Sequence, residues 1–248
     1  MSVPPPIDAA MLLAAGFGTR MRPLTDDRPK PLIEVCGKPL IDWAAERLRA
    51  GGVSRLVVNA HYLADRIAEH FADADDVRLS PEPEILETGG GVKQALPLLT
   101  EGRGAAPFFV VNADALWLDG QNPAVDRLKA AWNDAAMDAL LLLHPTVAAD
   151  DYHGAGDYHL DPDGRARRRE EGEIAPFLFA GVQILSPRLF ADAPDGAFSL
   201  NRLYDRAQED GRLAALVHDG EWYHVGTPDA LAATEEVIAR GHTKTNTR

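Results

Sequence analysis

The sequence predicts an α/β fold of three layers, with a largely parallel, mixed central sheet between helices. Three observations carry this expectation. Short, continuously apolar segments recur at residues 9–15, 55–59 and 108–112, and each ends at a Gly or Asn. Runs of that length suit strands buried on both faces. Helical patterns stand between them, and the alternation implies right-handed crossovers with helices on both faces of the sheet.

Taken in order, residues 9–15 form the first strand, closed by Gly16. Residues 39–50 read as a helix because their pattern stops at Gly51 and Gly52. The segment RLVVN at 55–59 is a second central strand, and a helix follows at 63–71. A further helix at 91–98 leads to the strand FFVVN at 108–112. In such sheets ligands gather outside the carboxyl ends of the strands, so the polar residues that close these runs face the site. After Asn133 the pattern loosens into strands at 138–144 and 177–185, with a turn at Asp161-Pro162-Asp163-Gly164. This half is expected to be mixed or antiparallel, and helices at 200–209 and 228–240 complete the chain.

At 248 residues and 46% hydrophobic composition, the chain suffices for one such domain. No linker, repeat or low-complexity block divides it, so residues 1–248 are expected to form a single domain, with 1–8 and 241–248 fraying. A net charge of −13 opposes a nucleic-acid backbone. It does not oppose a nucleotide, which a few local cations, backbone amides and a divalent metal can hold. The single cysteine, Cys36, excludes an internal disulfide and a Cys-based zinc site. No apolar run reaches membrane-spanning length and the start lacks a signal pattern, so a cytoplasmic protein without a membrane partner is expected.

The strongest chemical signal is Gly16-Phe17-Gly18-Thr19-Arg20, directly after the first strand, followed by Arg28-Pro29-Lys30-Pro31. Glycines there let backbone N–H groups approach a phosphate, and Arg20 and Lys30 supply charge. The dinucleotide fingerprint fails because its third glycine would fall at Met21, and no Gly-Lys-Ser/Thr completes a Walker A loop. The two glycines alone would equally make a plain tight turn; the Arg-Pro-Lys-Pro segment points to a triphosphate cradle.

On these residues the sequence resembles the sugar-1-phosphate nucleotidyltransferases, whose signature is a Gly-x-Gly-Thr-Arg loop followed by Pro-Lys-Pro. The likeness is strong to about Asp119 and patchier beyond. It implies the nucleotide-diphospho-sugar transferase fold, and an enzyme that couples a sugar 1-phosphate to a nucleoside triphosphate with release of pyrophosphate. It also implies that Ala14, Gly16, Gly18, Thr19 and Arg20 wrap the triphosphate while Lys30 neutralises the reacting phosphate. The string Glu87-Thr88-Gly89-Gly90-Gly91 is similar to the N-acetylmuramate-1-phosphate uridylyltransferase branch of that family. That likeness favours UTP, with Glu82, Thr88, Gly89 and Gly90 near the nucleotide, and a product that serves peptidoglycan recycling. The three glycines would let a flat base lie against the chain, or simply loosen a helix start.

Val110-Val111-Asn112-Ala113-Asp114 places a carboxylate after a buried strand, where it can hold Mg²⁺ against phosphate oxygens or merely form a turn. In the family the matching Asp is a metal ligand, and the residue at the Asn112 position lies close to the sugar. Trp222-Tyr223-His224-Val225-Gly226-Thr227-Pro228 resembles a Trp-x-Asp-x-Gly-Thr-Pro string whose Asp is the second metal ligand. His224 stands in that place here, so the implied ligands are Asp114 and His224, with Mg²⁺ or alternatively Mn²⁺ as the cofactor. Phe179-Ala180-Gly181-Val182 is similar to the strand that lines the family's sugar pocket, which adds Gly181 to Asn112. The catalytic set is then Arg20, Lys30 and Asp114.

Glu170, Glu171 and Glu173 read as a solvated charge run, with a sugar hydroxyl contact as the alternative, and the run Arg165, Arg167, Arg168 and Arg169 reads as a surface loop, with a subunit contact as the alternative. Three other functions stay open: a mannose-1-phosphate guanylyltransferase, a glycosyltransferase of similar fold, and a non-catalytic subunit that senses nucleotide-sugars. The oligomeric state is not fixed by the sequence.

Overall fold

The computed structural model describes residues 6–149 and 152–245, with the side chains of 241–245 left aside. Its strands and helices run β1 (Ala9–Leu13), β2 (Glu34–Val35), β3 (Lys38–Pro39), α1 (Leu40–Ala50), β4 (Arg55–Ala60), α2 (Ala64–His70), β5 (Val77–Pro81) and α3 (Glu87–Thr100). They continue with β6 (Phe108–Asn112), β7 (Leu116–Leu118), α4 (Ala124–Ala131), β8 (Ala139–Pro145), β9 (Tyr158–Leu160), β10 (Ala166–Arg168) and β11 (Phe177–Leu185). The last are α5 (Asn201–Glu209), β12 (Leu213–Val217), β13 (Glu221–Tyr223) and α6 (Pro228–Thr245).

The nine-stranded sheet runs β10-β9-β11-β6-β1-β4-β5, and β8 joins through β11 and carries β12. β6, β1, β4 and β5 are parallel, as the alternation with helices requires. β11 is antiparallel to both β6 and β8, which makes the sheet mixed in its second half. The alternation of side chains along each strand divides the core in two. Ala10, Leu12, Phe109 and Val111 pack on the face of α1, α2 and α4, while Ala9, Met11, Phe108 and Val110 pack on the face of α3 and α5. A third apolar cluster joins Met21, Leu40, Leu116 and Tyr223 to Ile238 of α6.

Several boundaries differ from the sequence expectation. β1 stops at Leu13, because Ala14 turns away to donate its N–H to the Asn59 side chain at 2.7 Å. α3 begins at Glu87 and runs through Pro97, so all three glycines lie inside its first turns. α6 continues five residues past 240, where fraying is expected from polarity alone. The expected fraying of residues 1–5 and 246–248 lies outside the described residues. Among the described residues no helix is long and apolar enough to cross a membrane.

Candidate active site

Register brings the site together. Leu13 at the end of β1 pairs with Asn59 on one side and Asn112 on the other, so both strand-ending asparagines flank the loop that follows β1. Asn59 accepts the Ala14 N–H through Oδ1 and donates through Nδ2 to Glu82 Oε1 at 2.6 Å. Glu82, 4% exposed, also accepts the Leu86 N–H at 3.0 Å. Its buried charge is therefore met by two donors, and the relay fixes where the loop leaves the sheet.

Within the loop, Gly18 takes φ +62°, and a Cβ there would come within 2.9 Å of the Lys30 Cβ. Glycine is needed both for the left-handed backbone and for room. A Cβ on Gly16 would meet nothing within 4 Å, so no packing inside the chain demands glycine at that position. Pro29 and Pro31 stiffen the turn that carries Lys30, and Lys30 Nζ lies 2.5 Å from Asp114 Oδ2. With 12% of its side chain exposed, Lys30 meets its charge partner in a partly desolvated setting.

A cavity of about 430 Å³ lies over the carboxyl ends of the parallel strands and is lined by Ala14, Gly16, Gly18, Thr19, Glu82 and Thr88 among others. A second, of about 320 Å³, is lined by Gly181, Tyr152, Asp157, Trp222 and His224 among others. Arg20, Lys30, Asn112 and Asp114 line both. The two cavities therefore meet at two cations, an amide and a carboxylate.

Gly181 sits where the β11–β8 register shifts, between Phe179 and Gln183, with φ +81°. A Cβ there would lie 3.2 Å from Asn112 Nδ2, so the two residues expected beside a sugar are in contact. Trp222 donates its indole N–H to the Ala180 carbonyl at 3.1 Å, with its ring 5.9 Å from that of His224. Burial, reinforced by the Arg20 and Lys30 charges, pushes the His224 imidazole below its ordinary pKa, while Asp114 acts the other way. The ring is neutral at neutral pH and lies against Gly226, where a Cβ would come within 2.4 Å of Nε2.

Among the described residues no group of three or more His, Cys, Asp or Glu is placed to hold a metal ion. Mg²⁺ nevertheless binds through one or two carboxylates when substrate phosphates and waters complete its shell. Asp114, the carboxylate common to both cavities, fits that limited role; His224 lines the second cavity beside it.

Two expectations need correction. Gly89 and Gly90 do not line the first cavity: their N–H groups donate to the Phe198 carbonyl at 2.8 and 3.2 Å. A Cβ on Gly89 would strike the Phe198 ring at 2.3 Å, and one on Gly90 the Gly196 carbonyl at 2.3 Å, so these glycines admit the chain itself. The arginine run is not a loose surface segment either, since β10 holds it in the sheet and Arg168 pairs with Asp205 at 2.6 Å. Thr88 does line the cavity, and its hydroxyl accepts the Leu200 N–H at 2.9 Å.

Sequence reasoning assigned no role to Glu87, Tyr152, Asp157 or Trp222. Glu87 lines the first cavity with φ +56°, a strained conformation for a side-chain-bearing residue. Tyr152 and Asp157 arrive from the segment before β9 and Trp222 from β13, and nothing local in the sequence marks their convergence.

The chain is similar to known proteins in both sequence and fold. Residues 9–170 match the family described as Nucleotidyl transferase. The chain is 46% identical over 237 residues to the N-acetylmuramate alpha-1-phosphate uridylyltransferase of Caulobacter vibrioides, covering 93% of this chain and 96% of that one. It is 36% identical to the protein of the same name from Neisseria meningitidis serogroup B, covering 88% and 93%. A crystal structure of UDP-glucose pyrophosphorylase complexed with UDP-glucose superposes with a TM-score of 0.77 at 16% identity, covering 95% of this chain and 99% of that one. At that identity the likeness speaks for the fold.

Proposed function

Because the chain belongs to the nucleotidyl transferase family, we propose that it is a sugar-1-phosphate uridylyltransferase acting on UTP and N-acetylmuramate 1-phosphate. The observation that carries this reading is the meeting of two cavities at Arg20, Lys30, Asn112 and Asp114. A reaction between two phosphates needs two compartments that share one cationic wall. The choice of base and sugar rests on the two relatives at 46% and 36% identity, whose names specify both.

In the proposed reaction an oxygen of the sugar 1-phosphate attacks the α-phosphorus of UTP in line. The new P–O bond forms as the bond to the β-phosphate bridging oxygen breaks, and pyrophosphate leaves. The nucleophile is already anionic, so no strong base is needed, and none lies at the shared wall. Positioning and charge neutralisation carry the rate. The amides of the Gly16–Thr19 loop and the Arg20 guanidinium hold the triphosphate. Lys30 moves from Asp114 toward the oxygens on which charge builds. Asp114 would hold a divalent cation, Mg²⁺ in this reading, which when bound supplies further neutralisation of the phosphates. Asn112 and Gly181 orient the sugar, and Tyr152 and Trp222 wall its cavity.

Pyrophosphate release across a grid of nucleoside triphosphates and sugar 1-phosphates tests the assignment. UTP with N-acetylmuramate 1-phosphate is expected to give the highest kcat/KM. A higher value for GTP with mannose 1-phosphate would replace it with a guanylyltransferase, and binding without turnover would indicate a sensing subunit.

A further inference from the structure

One side chain of the loop that follows β1 turns away from the cavity its neighbours build. Residues 13–16 and 18–21 all line the first cavity, and Phe17, in the middle of the same loop, does not. Its ring lies instead on the segment that follows β4. It meets the His61 ring edge-on, with centroids 5.6 Å apart and planes at 84°, and the tilted Tyr62 ring at 5.8 Å. Both spacings are those of attractive aromatic pairs. Phe17 nevertheless remains 47% exposed, so these contacts add little to the core.

The platform beneath the ring is itself tied to the cavity. His61 donates its Nδ1–H to the Glu82 carbonyl at 2.8 Å, and Glu82 belongs to the cavity lining. Tyr62 donates its hydroxyl to the Thr25 carbonyl at 2.8 Å, and the buried Thr25 hydroxyl donates in turn to the Gly18 carbonyl at 3.0 Å. Gly16 and Gly18 stand on either side of Phe17 and have no side chain with which to hold the loop. A backbone flanked by two glycines is costly to order when a ligand arrives, unless something outside the pair restrains it.

We propose that Phe17 is a positioning residue: its ring, docked on His61 and Tyr62, holds the amides of residues 16–19 in place for the triphosphate before the nucleotide binds. The inference rests on the triphosphate occupying the first cavity, as proposed above, and gives a role to a side chain that touches no substrate. Its contribution is preorganisation, because the loop is ordered on folding instead of on binding. The triphosphate is held in the ground state and the transition state alike, so loss of the ring is felt in the nucleotide KM more than in kcat. The sugar 1-phosphate sits in the second cavity, which Phe17 does not line, so its KM is insulated from the change.

The test measures kcat and both KM values by pyrophosphate release in the wild type, Phe17→Ala, Phe17→Tyr, Tyr62→Ala and the Phe17→Ala, Tyr62→Ala double variant, with urea midpoints alongside. Phe17→Ala is expected to raise the KM for UTP about 5- to 20-fold, as loss of two aromatic pairs would, while kcat and the KM for the sugar 1-phosphate change less than about 2-fold. Phe17→Tyr should keep the KM for UTP near the wild-type value. The double variant should lose less than the product of the two single losses, because both single variants remove the same ring contact. An unchanged KM for UTP in Phe17→Ala, an equal rise in both KM values, or fully multiplicative losses would overturn the role of Phe17 and leave the uridylyltransferase reading intact. A wild type that releases no pyrophosphate from UTP with any sugar 1-phosphate would instead overturn the proposed function and this inference together.

Discussion

Lys30 and Asp114 neutralise one another at 2.5 Å on the wall where the two cavities meet, and each is offered a different partner once phosphates arrive. Lys30→Ala should therefore lower kcat by about 10²- to 10³-fold with a smaller change in nucleotide KM, because its charge is needed most as pyrophosphate departs. Steady-state kinetics decide: a rise in KM alone would make Lys30 a binding residue. His224 supports a second prediction, since a neutral imidazole beside one carboxylate suits Mn²⁺ relatively better than Mg²⁺. Replacing it as His224→Asp should raise the Mg²⁺ to Mn²⁺ activity ratio; an unchanged ratio would leave Asp114 as the sole protein carboxylate at the metal. At this scale the sequence was most legible where residues sit in contiguous strings, as with Gly18, Lys30 and Asp114. Tyr152 and Asp157 were not legible as part of a site, because a strand hairpin and a bulge in β11 bring them to the second cavity.

α3 is legible in type, while the packing its glycines serve is not. Its glycines signal close approach, and the approaching group is the 196–198 segment. Gly90→Ala would bring a Cβ within 2.3 Å of the Gly196 carbonyl, a backbone atom that cannot swing aside. Overpacking of this kind costs about 1–3 kcal/mol, so the urea midpoint should fall by a corresponding amount; a midpoint equal to wild type would contradict the packing role. The central strands β1, β4, β6 and β11 were legible because continuous apolar runs mark strands buried on both faces. β5 was not, since Arg78 and Ser80 interrupt its pattern at a sheet edge, and three-residue β7 and β13 are too short to carry a period.

Across the whole molecule, the two halves of the sheet divide the work: parallel strands hold the loop that meets the first cavity, and the antiparallel β11 region walls the second. His144 and His218 lie buried behind that wall, 2% and 3% exposed, with rings 5.9 Å apart. Burial lowers the pKa of both. Above about pH 6.5 the rings are neutral folded and unfolded alike; below it the unfolded chain takes up protons first, so stability falls. The urea midpoint should therefore drop between pH 7.5 and 5.5, and less so in a His144→Gln, His218→Gln double variant that folds. A pH-independent midpoint over that window would show that the rings titrate normally.

The central claim is that an oxygen of the sugar phosphate attacks the α-phosphorus of UTP at the wall shared by the two cavities. Sugar 1-phosphate labelled with ¹⁸O at its three non-bridging phosphate oxygens tests it directly, with mass spectrometry of both products. The account predicts all of the label in the nucleotide-sugar and none in pyrophosphate, with pyrophosphate formed only when both substrates are present. Label in the released phosphate product, or pyrophosphate formed from UTP and water alone, would contradict it.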